Sequence, residues 1–268
     1  MALAYDDYDD HRDYDDHRDA GSGDCVVLIH GHPFDRTLWD PQVTALRDSF
    51  RVLAPDLRGF GRSPVTPGRV TMRELAADIE ELLDGLGIAR AALVGLSMGG
   101  LVTMELAIAR PERYWAIALV ATTAEPPSPD ERGVRYARAE AIERDGIGVL
   151  VDYMHAGLYG PACPPAVRAR VDAMMAAAPP AGAAAALRGR AERPDYRPLL
   201  ARLDVPALVL AGTADPWSTK AVTDEIAASL RRPELVVIDG VGHLPNLEAE
   251  TEFNDTLLAF LRAHAPAP

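Results

Sequence analysis

Short apolar runs that alternate with stretches of helical period, each run closing on a turn residue, constrain the fold of this chain more than any other feature. Val26–Ile29 ends at His30-Gly31, Val52–Ala54 at Pro55-Asp56 and Ala91–Val94 at Gly95. Ala116–Val120, Ala207–Leu210 and Leu235–Ile238 follow, the last two leading into Gly212-Thr213-Ala214-Asp215 and Gly240-Val241-Gly242-His243. Runs this short and rich in branched side chains read as buried parallel strands. Between them, Met72–Leu86 places Leu75, Ile79, Leu82, Leu83 and Leu86 at helical spacing, and Leu101–Ala109, Ala221–Leu230 and Glu248–Arg262 read as further helices. Strands alternating with helices imply an α/β fold, a mostly parallel doubly wound sheet flanked by helices. In such sheets ligands bind beyond the carboxyl ends of the strands. His30, Asp56, Ser97, Asp215 and His243 each fall just after a predicted strand.

The alternation breaks between Val120 and Ala207, a stretch rich in Ala, Arg and Pro. Helices are expected over Arg132–Arg144, Ile147–Tyr159, Pro165–Ala178 and Ala183–Ala191. A helical insertion at this point would lie over the strand ends as a lid, excluding water and shaping a pocket. The expected organisation is therefore a core of residues 25–124 and 204–263, a lid over 125–203, and tails at 1–24 and 264–268. A chain of 268 residues suits one such domain better than two.

Gly95-Leu96-Ser97-Met98-Gly99 spells G-x-S-x-G between a strand and a helix. A serine hydroxyl is a weak nucleophile unless it is exposed and paired with a base. Small residues on either side let the chain turn sharply and lift the hydroxyl above the sheet edge. The Met98 N–H then sits at a helix N-terminus, where it can stabilise an oxyanion. Asp215 and His243 follow in the order serine, acid, histidine. His243 is the expected base, Asp215 the group that holds its tautomer, and Asp215 has a competing reading as a helix cap near Thr219.

Hydrophobic residues make up 48% of the chain and charged residues 25%, both ordinary for a globular protein. No apolar run approaches the ~20 residues of a membrane span, and the acidic N-terminus does not read as a signal peptide. Cys25 and Cys163 lie in no metal-like or redox spacing, and free thiols in the cytoplasm are expected. No glycine-rich phosphate loop or zinc spacing is present, so neither a cofactor nor a metal is implied. The net charge of −13 argues against a nucleic-acid partner. More than half of it sits in residues 1–24, which carry nine Asp and two Arg and repeat Asp7-Tyr8-Asp9-Asp10-His11-Arg12 in tandem. So polar a repeat is expected to be a solvated, disordered tail, with weak divalent-metal binding and an engineered or misassigned start as the alternatives.

Taken together, Ile29-His30-Gly31-His32-Pro33, the segment Pro55-Asp56-Leu57-Arg58-Gly59-Phe60-Gly61-Arg62-Ser63, the serine pentapeptide with Gly100, the Asp215 loop and Gly242-His243 resemble the α/β-hydrolase superfamily over residues 25–263. The resemblance is to its lidded esterases, enol-lactonases and perhydrolases. It implies that the second oxyanion donor is the backbone N–H of His32, that Asp56 is a structural loop residue, and that Glu125 is an alternative position for the acid. It also implies that a serine at the elbow disfavours the dehalogenase and epoxide hydrolase branches, which carry aspartate there. Relatives begin with a strand pair before the segment matching Val26–His30. The Asp-rich repeat fills that space, so the first strands are expected to be missing or marginal.

The expected function is hydrolysis of a carboxylic ester or lactone of a small, largely apolar substrate through an acyl-enzyme on Ser97. Phe34, Trp217 and Leu244 flank the catalytic positions and are candidates to line the pocket. The alternatives are carbon–carbon cleavage, thioester hydrolysis or perhydrolysis by the same triad, or a low-turnover receptor. The partner is a small molecule, with no membrane involved, and the protein is expected to be a monomer or homodimer.

Overall fold

The computed structural model describes residues 1–8 and 24–266. Its strands are β1 (Tyr5–Tyr8), β2 (Cys25–Ile29), β3 (Arg51–Pro55), β4 (Ala91–Leu96), β5 (Tyr114–Val120), β6 (Ala207–Gly212) and β7 (Pro233–Ile238). They form one sheet in the order β1-β3-β2-β4-β5-β6-β7, in which β1 alone runs antiparallel to its neighbour. The runs β2 to β6 are buried along their whole length, which is why they read as unbroken apolar stretches and not as alternating ones.

The helices are α1 (Asp40–Leu46), α2 (Met72–Gly85), α3 (Met98–Ala109), α4 (Pro129–Asp145), α5 (Gly148–His155), α6 (Pro165–Ala177), α7 (Pro180–Ala191), α8 (Arg197–Leu200), α9 (Lys220–Ser229), α10 (Pro245–Glu248) and α11 (Glu250–His264). Helix α2 opens on a reciprocal cap between Thr71 and Glu74, and α4 on the same device between Ser128 and Glu131. Helix α3, which follows the serine, is buried on almost every face and is accordingly apolar all round. The segment between β5 and β6 is helical, α4 to α8, as its composition predicts. Within it α4 packs along α7, and α7 is tied to the core where the Val70 amide donates to Ala185 O at 3.1 Å.

The first strand corrects the sequence reading. Residues 5–8 of the acidic segment form edge strand β1 and pair with β3 from Tyr5 opposite Pro55 to Tyr8 opposite Val52. An edge strand needs only backbone partners on one side, and its aspartates are answered by arginines of the core. Asp6 pairs with Arg36 at 2.5 Å and Arg62 at 2.9 Å, and Asp7 grips the buried Arg51 through both oxygens at 3.0 and 2.6 Å. Leu3 is buried beside them. The rest of the tandem repeat lies outside the described residues. Among the described residues no helix is long and apolar enough to cross a membrane.

Candidate active site

Strand β4 is followed at once by Ser97, whose backbone sits at φ 54° and ψ −109°, outside the regions that ordinary residues prefer. Such a conformation costs about 1–3 kcal/mol and persists only where the surroundings impose it. Here the surroundings are explicit. The Ser97 amide donates to Val120 O at 2.8 Å, and the Thr122 hydroxyl donates to Ser97 O at 2.7 Å. The two glycines of the pentapeptide are needed for close approach: a Cβ on Gly95 would lie 2.2 Å from Gly99 O, and one on Gly99 would lie 2.1 Å from Ile29 O. The elbow is thus wedged between the end of β2 and the start of α3, with the Met98 amide in the first turn of that helix.

Asp215 follows β6 and His243 follows β7, and the structure brings them together. His243 Nδ1 donates to Asp215 Oδ2 at 2.6 Å, and both side chains are almost fully buried. Asp215 also accepts from the Trp217 amide at 2.8 Å and from the Ser218 hydroxyl. Burial alone would raise the Asp215 carboxyl. The adjacent imidazole and these donors outweigh it and hold the group below the usual carboxylate range. With Nδ1 engaged by Asp215, Nε2 of His243 has no hydrogen-bond partner among the described residues. The Trp217 ring stands edge-on to the imidazole, with centroids 4.9 Å apart, and limits its rotation. The His243 amide donates to Leu158 O at 2.9 Å, which fixes the loop against the helical insertion.

Ser97 and His243 open on one cavity of about 410 Å³, lined also by His32, Trp217, Tyr153 and Met154. Of the three pocket candidates, Trp217 lines it. Phe34 and Leu244 do not: both side chains are taken up by packing in the hydrophobic core. Glu125 faces the cavity, but His243 is bonded to Asp215 and not to it. Asp56 takes the structural part expected of it, accepting from the Arg36 and Arg62 amides at 2.8 Å each and from the Arg36 side chain at 2.6 Å.

His32 is held by its ring. One nitrogen, Nε2, lies 2.9 Å from Ala183 O of α7, and burial, reinforced by the nearby Arg190 charge, pulls the imidazole down to about 3. It is therefore neutral, with Nε2 donating, and it joins the loop after β2 to the helical insertion. His30 is also buried and pulled down by burial; its Nε2 accepts from the Leu57 amide at 2.9 Å.

The lining is not the largely apolar one expected from the sequence. Arg135, Arg138, Arg190 and Arg193 all reach it, together with Glu125. These residues belong to α4, α7 and the loops beside them, where arginine at helical spacing looks like an ordinary solvated face. Glu248 is a further residue that sequence reasoning passed over. Its carboxylate accepts from the amides of Gly160 at 2.8 Å, Gly242 at 3.2 Å and Leu244 at 3.3 Å, gripping the loop around His243 and the insertion at once.

The fold is that of a hydrolase, and similarity to known proteins agrees. The chain belongs to the Alpha/beta hydrolase family, whose profile matches residues 26–256. It is 32% identical over 241 residues to 3-oxoadipate enol-lactonase 1 of Acinetobacter baylyi, covering 89% of this chain and 88% of that one. Among solved structures it is similar to a thermophilic esterase from Thermogutta terrifontis in a malate-bound form, at 37% identity and a TM-score of 0.91, covering 98% of this chain and 94% of that one. The enol-lactonase of Burkholderia xenovorans LB400 matches at 31% identity and a TM-score of 0.87, over 97% and 96% of the two chains.

Proposed function

We propose that this protein hydrolyses a carboxylic ester or lactone of a small substrate through an acyl-enzyme on Ser97. The observation that carries the reading is the 2.6 Å bond from His243 Nδ1 to Asp215, which leaves Nε2 free in the same cavity as the Ser97 hydroxyl. Ser97 Oγ attacks the carbonyl carbon while His243 Nε2 takes its proton, and Asp215 stabilises the imidazolium that forms. Ser97 and His243 are not hydrogen-bonded to each other; such contacts commonly tighten only when substrate is bound.

The oxyanion is held by the backbone N–H groups of Met98 and His32, the first placed by the N-terminus of α3 and the second by the bond between its own ring and Ala183. Collapse of the tetrahedral intermediate passes the proton from His243 to the leaving oxygen. A water activated by the same imidazole then releases the acid. The names of the relatives, enol-lactonase and esterase, support this class of bond.

The test is hydrolysis of short-chain aryl esters by the wild type and by Ser97→Ala, with a fluorophosphonate probe and mass spectrometry to find the labelled residue. Loss of at least ~10³-fold in kcat and labelling at Ser97 are expected. Equal turnover by the two proteins would end this assignment.

A further inference from the structure

Several arginines elsewhere on the helical insertion have partners. Arg188 pairs with Glu143 through two bonds of 2.7 and 2.6 Å, Arg170 with Asp40 at 2.9 Å, and Arg168 donates to the carbonyls of Cys163 and Gly160. In the cavity the pattern divides. Arg193 is held by Glu125 O at 3.0 Å, Arg190 O at 3.1 Å and the Thr123 hydroxyl at 3.4 Å. Arg138 lies over the Tyr153 ring at 3.3 Å.

Arg135 and Arg190 line the same cavity with neither kind of support. No acceptor meets either side chain among the described residues, and Arg135 Nη1 and Arg190 Nε are closed off from solvent without one. Burial, with the Arg135 and Arg193 charges beside it, pulls Arg190 down to about 9; burial lowers Arg135 as well.

The acidic residues of the lining do not complete them. Glu131 serves the cap of α4, accepting from the Ser128 amide at 2.8 Å, and Asp130 is exposed at the same helix end. The Glu125 carboxylate is near enough to favour the charged forms of Arg135 and Arg193, yet it bonds to neither side chain, and its Oε2 is itself buried without a donor. Desolvated cations left unbonded oppose folding, and side chains of this kind in a cleft point to a ligand that completes them. A guanidinium fork matches a carboxylate in geometry. The Glu125 charge alongside disfavours a dianion such as phosphate.

We infer that the substrate carries a free carboxylate, received by Arg190 and Arg135 while its ester or lactone carbonyl meets Ser97. This rests on the acyl-hydrolase reading for the reacting bond but not for the anion site. Leu101, Leu150, Leu187 and Met154 supply apolar wall in the same cavity, which suits a short aliphatic or ring spacer.

The experiment compares a mono-aryl glutarate with the same compound capped as its methyl ester, following release of the aryl alcohol. The acid is expected to exceed the capped ester at least tenfold in kcat/KM, with the difference mainly in KM. Arg190→Met and Arg135→Met should each reduce that ratio by about 10- to 100-fold, the range for one lost charge-assisted hydrogen-bonding partner, and Arg190→Lys should restore part of it. Either methionine variant suffices if the other fails to fold.

A carboxylate on the leaving side is covered by acetyl 4-hydroxybenzoate and its methyl ester. No preference for the acid in either pair, or a ratio unchanged in every folded variant, overturns the inference. Calorimetry of glutarate with Ser97→Ala reads the site without turnover, and loss of that binding on adding Arg190→Met is expected. Glutarate binding that is lost with Arg190, in a protein that cleaves no ester, would support the anion site while refuting the acyl-hydrolase reading. Ester cleavage without carboxylate preference would do the reverse.

Discussion

His243 and Asp215, twenty-eight positions apart on the loops after β7 and β6, meet through a single 2.6 Å bond, and Asp215 is fixed in turn by Ser218 and Trp217. Replacing the acid by an isostere tests whether that bond sets the imidazole tautomer. Asp215→Asn should lower kcat by about 10²- to 10⁴-fold with little change in KM. The carboxyl is depressed in the folded state, so the stability it contributes is present above the ordinary carboxylate range and lost as the pH falls through its lowered value. Urea denaturation of both proteins should show the wild type's advantage shrinking below about pH 4.

The elbow makes a steric prediction. Gly99→Ala would set a methyl carbon 2.1 Å from Ile29 O and 2.8 Å from His30 O, both backbone atoms that cannot swing aside. A loss of about 1–3 kcal/mol or more, with kcat collapsing as Ser97 is displaced, is expected. Gly133→Ala is the matched control. It lies within α4, where an added Cβ meets nothing within 4 Å, and should be neutral or stabilising by up to about 1 kcal/mol. Thermal denaturation and ester turnover of the two variants decide the point.

Two buried neutral histidines set the acid response. In the unfolded chain each titrates near pH 6.5, whereas burial pulls His32 down to about 3 and lowers His30 as well. The unfolded state therefore takes up protons first, and stability falls as the pH drops from the unfolded value towards the folded one. The expected slope is at most about 1.4 kcal/mol per pH unit per histidine. Denaturation midpoints measured between neutrality and pH 4 should fall accordingly, and His32→Asn should remove one histidine's share. An unchanged slope in that variant would place the acid response elsewhere.

Glu248 offers a test of how the catalytic loop is held. Its carboxylate receives the amides of Gly160, Gly242 and Leu244, and glutamine would offer one oxygen and turn an NH₂ group towards the remaining donors. Glu248→Gln should cost about 1–3 kcal/mol of stability. Because the variant loosens the loop that carries His243, kcat should fall about tenfold, the equivalent of 1.4 kcal/mol in the barrier. A change in stability with kcat untouched would show Glu248 to be a structural tie alone.

Sequence and structure divide the molecule along physical lines. Strand–helix alternation, the elbow and the order Ser97, Asp215, His243 are local patterns, legible because buried parallel strands leave unbroken apolar runs and a tight turn tolerates few residue types. The sheet was readable from these, as were the three candidate residues; the structure bonds His243 to Asp215 and opens Ser97 and His243 on one cavity. Residues 5–8 of the acidic segment depart from the expected tail because an edge strand is stabilised by what it meets, here Arg36, Arg51 and Arg62, and none of these is near it in sequence.

The character of the cavity was equally hidden. An arginine on a helix looks the same whether it faces water or a pocket, and only the packing of α4 along α7 turns Arg135 and Arg190 inward. Composition and periodicity thus determined the scaffold and the reacting groups. What the serine is built to receive depends on which side chains lose their solvent, and tertiary packing alone decides that.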